Sequence, residues 1–272
     1  MDSTVDQAAG RRSRGLERAF DILDHLRDAR KPLRPNEIAT ATGAPRSTVY
    51  ELINLLLRLE ILEYKGGDGR VFLGRKLFIL GAAYSAQSSL LNLCGEILEE
   101  IVDETRETAQ FCLLDGNKYT VAMMKESSRP FRISSSVGER TPIPWTASGR
   151  LLLDHLGDRE ILAFVPPDDF RKPSGEWIDP ETFLAEVRQA SRDGHFTFDS
   201  IVDSYTHCFA VPVRWPDGRA EATLCLVAPK ADARRNHGSY LDCLKRSARK
   251  LSTHFLNAGA AREFEQFRAM RR

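Results

Sequence analysis

Between Pro35 and Leu73 the chain alternates apolar periodicity with turn residues at a spacing few folds accommodate. Pro35-Asn36-Glu37-Ile38-Ala39 opens a short helix, with Asn36 read as its N-cap and Gly43 as its terminator. Two residues separate Gly43 from Arg46, which begins a longer helix in which Val49, Leu52, Ile53, Leu56 and Leu59 form the apolar face. At about 100° per residue, Ser47, Tyr50, Glu51, Asn54 and Arg58 cluster on the opposite side, with Arg46 beside them at the first turn. A helix, a short turn containing glycine and a second helix is the helix-turn-helix signature. The segment Ile61–Tyr64, the turn Lys65-Gly66-Gly67-Asp68-Gly69-Arg70 and the run Val71–Leu73 then predict a hairpin. A hairpin in this place reads as the wing of a winged helix. Upstream, Leu16, Phe20, Leu23 and Leu26, broadened by Ala19 and Ile22, predict an amphipathic helix that ends at Lys31-Pro32.

Charge supports a nucleic-acid partner for this part alone. The whole chain of 272 residues carries a net +1, but residues 11–80 carry +5 and residues 81–272 carry −2. Ser47, Thr48 and the backbone N–H groups of the helix start suit phosphate oxygens, and Arg46 suits a guanine edge or a phosphate. Lys65 and Arg70 would flank the sugar-phosphate backbone. The N-terminal stretch up to residue 13 is expected to be a flexible arm. No apolar run approaches the ~18 residues of a membrane span, and the N-terminus lacks the apolar core of a secretory signal. Five widely spaced cysteines, with no Cys-x-x-Cys pair, fit a reducing cytoplasm rather than a disulfide framework or a structural zinc site.

Beyond the wing, Leu77, Leu80, Ala83 and Tyr84 predict a linker helix over 75–90 that also serves as a dimer contact, and Leu91, Cys94, Leu98 and Ile101 predict another helix. The pattern then turns to strands. Gln110–Leu114 and Tyr119–Met124 flank the turn Asp115-Gly116-Asn117, Arg129–Val137 reads as a further strand and loop, and His207–Val213 and Ala222–Ala228 flank Pro216-Asp217-Gly218. Helices are expected near Gly149, around Phe183–Val187 and through Leu241, Leu244, Ala248, Leu251 and Phe255. This is an α+β sheet domain, followed by a charged tail over 261–272.

The stretches SRGLERAFDILDHL, PNEIATATGAPRSTVYELINLLLRLEIL and YKGGDGRVFLGRKLFILG resemble the bacterial IclR family of transcriptional regulators. So do VGERTPIPWTASGRLLL and HCFAVPVRWPDGRAEATLCLVAP downstream. The resemblance spans residues 14–257. It implies a winged helix-turn-helix over 14–74, a linker helix over 75–90, and a GAF-like α/β effector-binding domain over 91–260. It also implies a homodimer or a dimer of dimers that binds a double-stranded DNA operator, with no cofactor and no membrane. Two departures stand out. Glu51 follows Tyr50 where members often carry arginine; a carboxylate cannot hold a phosphate but accepts from a cytosine amino group. Glu60 or Ile61 stands where members often carry glycine.

The resemblance further places an effector cavity against the sheet, under the loop Pro142–Gly149, with Ile133, Ala147, Ser148, Asp199, Cys208, Cys225 and Val227 at ligand-contacting positions. Cys225 and Val227 replace serines common in relatives and make the wall more apolar, and Trp145 adds aromatic surface. Thr146-Ala147-Ser148-Gly149 precedes a helix, whose exposed N–H groups favour an anion. An apolar wall with one anion-binding end implies a small organic acid as effector, for a regulator expected to be a repressor. Two other classes remain open at this level: a GAF-like enzyme using cysteine redox chemistry, for which Cys112 and Cys208 lie in strands able to be neighbours, and a winged helix that binds protein. No Gly-x-Ser-x-Gly, His-Glu-x-x-His or Walker motif occurs, and the histidines show no compact ligand spacing, so no catalytic or metal-binding residue is assigned.

Overall fold

A computed structural model describes residues 3–127 and 136–254, with side chains from residue 14 onward. It divides into two compact units, residues 1–87 and 88–272.

The first unit contains α1 (Ser3–Ala29), α2 (Pro35–Thr42), α3 (Arg46–Arg58), β1 (Leu62–Lys65), β2 (Arg70–Leu73) and α4 (Arg75–Gln87). Its core joins Ala19, Ile22 and Leu26 of α1 to Ile38 and Ala39 of α2, Val49, Ile53 and Leu56 of α3, and Leu62 and Val71 of the hairpin. The stripe on α1 is narrower than its periodicity implies. Leu16 and Phe20 are 63% and 58% exposed, because the small core of this domain takes up only the Ala19-Ile22-Leu26 line of this helix. Leu59 is also exposed, as it caps α3 rather than continuing its buried face. Helix α1 begins at Ser3, so the stretch expected as a flexible arm is helical; it holds no proline to stop the helix from propagating backwards.

Helix α2 starts earlier than expected. Its N-cap is Arg34, Pro35 occupies the first turn, where its missing N–H costs nothing, and Asn36 lies inside the helix with Oδ1 accepting from Glu37 N at 3.0 Å. Gly43 ends the helix in the left-handed region, at φ 65°. The hairpin pairs Leu62 with Leu73 and Lys65 with Arg70, and Leu33 bridges to Val71 as a third short segment. At the entry to the hairpin Glu60 adopts φ 58°, a left-handed conformation that glycine takes most readily. Gly74 closes the hairpin, where a Cβ would stand 2.5 Å from the Glu60 carbonyl oxygen. Helix α4 buries none of its residues within this unit.

The second unit is built on one antiparallel sheet of six strands in the order β5-β4-β3-β8-β7-β6. The strands are β3 (Thr108–Asp115), β4 (Lys118–Lys125), β5 (Arg140–Thr141), β6 (Phe196–Asp199), β7 (Thr206–Arg214) and β8 (Ala220–Pro229). Strand alternation gives the sheet two apolar faces. Ala109, Phe111, Phe209, Val211, Leu224 and Leu226 pack on one side with α5 (Ser89–Thr105) and α10 (His237–His254). Cys112, Tyr119, Val121, Cys225 and Val227 face the other side with α8 (Pro180–Asp193) and the segment around Ile143 and Leu152. Helices α6 (Ala147–Leu152), α7 (Asp158–Phe164) and α9 (Lys230–Arg235) complete the unit. Strand β8 separates β3 from β7, so Cys112 and Cys208 are not on neighbouring strands. The strand expected over Arg129–Val137 falls mostly outside the described residues, as do Ile133, Phe255 and the tail. No single helix among the described residues is long and apolar enough to cross a membrane.

Candidate functional site

The first candidate surface is the outer face of α3. Arg46, Ser47, Tyr50, Glu51, Asn54 and Arg58 are all exposed, while Thr48 is half-buried. The apolar line Val49-Ile53-Leu56 that anchors the helix forces this, because residues three and four apart share a face. The N-cap is Pro45, so no side chain caps the first-turn N–H groups at Arg46 and Ser47. The wing is more self-contained than its sequence implies. Lys65 pairs with Glu63 at 2.5 Å, and Arg70 donates to Asp68 at 2.7 Å and to the Pro32 carbonyl at 3.3 Å. Asp68 also accepts from Arg34 at 3.2 Å. The Arg70 and Arg34 guanidinium groups hold the Asp68 carboxyl below its ordinary range. Arg34 is a base beside the hairpin that periodicity did not single out; its only sequence signal is its place before Pro35.

The second candidate is a cleft of about 910 Å³, its open mouth included, on the sheet face opposite α5 and α10. Six of the residues singled out from sequence line it: Trp145, Ala147, Ser148, Cys208, Cys225 and Val227. Asp199 does not. On β6 the alternation aims Phe196 and Phe198 at this face and Asp199 away from it, where its carboxylate takes His207 Nδ1 at 2.8 Å and Lys230 Nζ at 3.1 Å. The acids at the cleft are instead Glu139 and Asp203, the latter accepting from the backbone N–H groups of Tyr205 and Thr206. Burial opposes ionisation of Asp203, but hydrogen bonds from Thr206 and Tyr205 outweigh that and hold its carboxyl below the ordinary value. Gln110, Tyr119, Glu139 and Arg140 also line the cleft and were not anticipated, since no local pattern brings β3, β4 and β5 to one wall.

The segment Thr146-Ala147-Ser148-Gly149-Arg150 is explained residue by residue. Thr146 Oγ1 caps α6 by accepting from Gly149 N at 3.0 Å. Ser148 Oγ accepts from Thr223 Oγ1 at 2.8 Å inside the core, which fastens α6 to β8. Gly149 passes so close to Ile143 that a Cβ would stand 2.3 Å from its carbonyl oxygen. Arg150, 3% exposed, donates to the Pro144 and Thr146 carbonyls at 2.7 Å each and to Glu186 at 2.7 and 3.1 Å. Its guanidinium lies 4.9–5.2 Å from the rings of Phe183, Phe196 and Phe198. The rim of the cleft is thus held by one buried cation. Trp145, on that rim, has a buried Nε1–H without a hydrogen-bond partner among the described residues.

The thiols on this face of the sheet are poor nucleophiles. Burial pushes Cys112 up to about 12, and burial likewise raises Cys208 and Cys225, so all three stay protonated at neutral pH. Cys112 Sγ accepts from the Tyr119 hydroxyl at 2.9 Å.

Comparison with known proteins supplies the family. Residues 15–66 match the IclR helix-turn-helix domain, and residues 82–253 match the C-terminal domain of the bacterial transcriptional regulator IclR. The chain is 26% identical over 212 residues to the Pca regulon regulatory protein of Pseudomonas putida, covering 77% of this chain and 72% of that one. It is 22% identical over 233 residues to the HTH-type transcriptional repressor AllR of Escherichia coli K12, covering 84% of each. Its fold is shared by an IclR transcriptional regulator from Alicyclobacillus acidocaldarius, with a TM-score of 0.76, 20% identity, and coverage of 89% of this chain and 98% of that one. An IclR homolog from Microbacterium hydrocarbonoxydans, complexed with 4-hydroxybenzoate, gives a TM-score of 0.72 and 24% identity at the same coverage. With both family domains matched in order along most of its length, the chain belongs to the IclR family of bacterial transcriptional regulators.

Proposed function

We propose that this protein is a cytoplasmic repressor that binds a DNA operator through α3 and the hairpin and is released by a small organic acid seated in the C-terminal cleft. The carrying observation is the pairing, in one chain, of a largely polar exposed α3 face, interrupted by Leu55, with a walled cleft whose rim holds a buried donor at Trp145 that has no partner among the described residues. Arg46 reads a base edge, while Ser47, Thr48, Tyr50, Asn54, Arg58, Lys65 and Arg70 position the helix on phosphates. Glu51 selects cytosine. In the cleft, Cys225, Val227 and Cys208 offer apolar wall, and Arg140 and the Trp145 N–H favour an anion. The 4-hydroxybenzoate held by the Microbacterium homolog is an acid of this size and shape. The DNA-binding part spans 14–74, the linker 75–90 and the effector part 91–260.

The protein acts as a homodimer or dimer of dimers. Phe78, Ile79, Leu80 and Tyr84 on α4 are 80%, 59%, 54% and 44% exposed, apolar side chains spread around the helix that a second copy would cover in part. Pairing there places two α3 helices on operator half-sites ~34 Å apart or a multiple of it. Mobility-shift assays on the DNA flanking the protein's own gene test this reading. A shift that benzoate or 4-hydroxybenzoate reverses supports all of it. No shift at low salt removes the DNA reading; a shift that neither acid alters removes the effector reading. Sedimentation showing monomer alone, free and DNA-bound, removes the oligomer.

A further inference from the structure

The floor of the cleft holds a polar group that neither the family match nor the relatives assign. Gln110 lies on β3, at the centre of the sheet, directly across from Cys225 of β8. Alternation aims its neighbours Ala109 and Phe111 into the opposite core, and Gln110 itself at the cleft. It is 2% exposed. A buried primary amide has two donors and two acceptor sites to satisfy. Among the described residues its side chain meets only weak partners: Nε2 lies 3.5 Å from the Met124 sulfur, and Oε1 lies 3.5 Å from the Tyr119 hydroxyl. The second is at the outer limit of a hydrogen bond, because that hydroxyl already donates to Cys112 Sγ at 2.9 Å. The amide therefore sits in a wall of Val121, Cys225 and Val227 with its hydrogen-bonding capacity mostly unused.

We propose that Gln110, oriented by Tyr119, is a specificity-determining residue of the effector cleft, and that the effector is an aromatic acid bearing a hydroxyl group that exchanges hydrogen bonds with the Gln110 amide. This rests on the effector reading above and sharpens it. A ring fits between the Trp145 rim and the Cys225–Val227 wall. A hydroxyl donates to Gln110 Oε1 and accepts from Nε2, whereas an unsubstituted ring leaves the amide buried and unmatched. Such sites discriminate more by rejecting the analogue that lacks the polar group than by attracting the one that has it. Burial also keeps the Tyr119 phenol protonated far above neutral pH, so it stays a donor and holds no charge against an acid.

Isothermal calorimetry on the full chain with benzoate, 3-hydroxybenzoate and 4-hydroxybenzoate tests this. The parent is expected to bind one hydroxybenzoate about 10- to 100-fold more tightly than benzoate. Gln110→Leu, nearly isosteric, is expected to erase that preference by weakening the hydroxybenzoate while leaving benzoate unchanged or tighter. Tyr119→Phe keeps the ring and removes the hydroxyl, and is expected to reduce the preference in part. Melting temperatures of both variants separate loss of preference from loss of fold; if Gln110→Leu fails to fold, Tyr119→Phe decides. Equal affinity of the parent for all three acids overturns this inference and leaves the effector reading standing. Binding of none of them overturns both. An equal loss for all acids in Gln110→Leu or, when that variant does not fold, an undiminished preference in Tyr119→Phe, makes these residues structural and overturns the inference.

Discussion

Arg46 and Arg150 stand at the two working regions of the molecule and could hardly differ more. Arg46 is exposed at the first turn of α3, where the helix positions it. Arg150 is buried under three aromatic rings, bound to two loop carbonyls and to Glu186. The operator-facing surface is an outward display on one helix, and the core behind it does not depend on what is displayed. The cleft is an inward meeting of β3, β4, β7, β8 and α6, and its lining is part of the domain's core. Function and stability are therefore separable in the first unit and entangled in the second.

The largest effect should come from Arg150→Ala. It strips two carbonyls of their donor and leaves Glu186 without its cation, so we expect a loss of about 3–5 kcal/mol in the second unit. Chemical denaturation followed by near-ultraviolet circular dichroism measures it. A loss below about 1 kcal/mol would make the rim self-supporting and remove the contrast with Arg46.

Arg46→Ala should do the opposite: melting stays within a degree or two of the parent while operator affinity falls by ~1–3 kcal/mol. Binding isotherms at several salt concentrations distinguish the roles. A uniform loss across operator variants, with the salt slope reduced by about one, marks a phosphate contact; relaxed discrimination at one base pair marks base reading. An unstable Arg46→Ala protein would show that the first unit is as entangled as the second.

Glu60→Gly sharpens the comparison from the stability side. Glycine relieves the left-handed strain at φ 58° but gives up the ion pair between Glu60 and Arg75 at 3.1 Å. That pair is exposed and worth little, so a net gain of up to ~1 kcal/mol is expected, with operator binding unchanged. A loss of stability would mean that the ion pair outweighs the backbone.

The thiols give the smallest effect near neutrality. Cys112 and Cys94 are pushed up from an ordinary 9.0 to about 12 by burial, so both stay protonated in the folded chain. A thiol whose folded value is raised favours folding fully below its unfolded value. That contribution is lost as pH climbs above 9.0 and through about 12. Melting temperature should accordingly be flat from pH 7 towards 9 and fall beyond it, and alkylation of the native chain at pH 8 should be slow. Fast alkylation of Cys112 at pH 8 would revive the cysteine chemistry that its burial argues against.

Periodicity and turn chemistry were enough for the winged helix: the line Val49-Ile53-Leu56 dictates which side chains α3 shows, and Gly43 dictates where α2 stops. Local patterns work there because the recognition face lies on a single helix. They were equally good for β3, β4, β7 and β8, whose apolar runs are bounded by clear turn residues. They were weaker where a rule of long range decides. The periodicity of α1 marked Leu16 and Phe20 as apolar but could not say that this domain leaves them outside. At the cleft, the motif around Thr146–Arg150 marked the rim, yet Gln110, Tyr119, Glu139 and Asp203 were invisible until strand order placed them together. Asp199 shows the reason most sharply. It sits one residue from Phe198, which lines the cleft, and a one-residue step along a strand turns a side chain to the opposite face of the sheet. Sequence by itself determined the winged helix, the central strands, the family and the outward face of α3, because each depends on neighbours along the chain. Only the tertiary structure decided the cleft lining, because that depends on which strands lie side by side and on which face each residue falls.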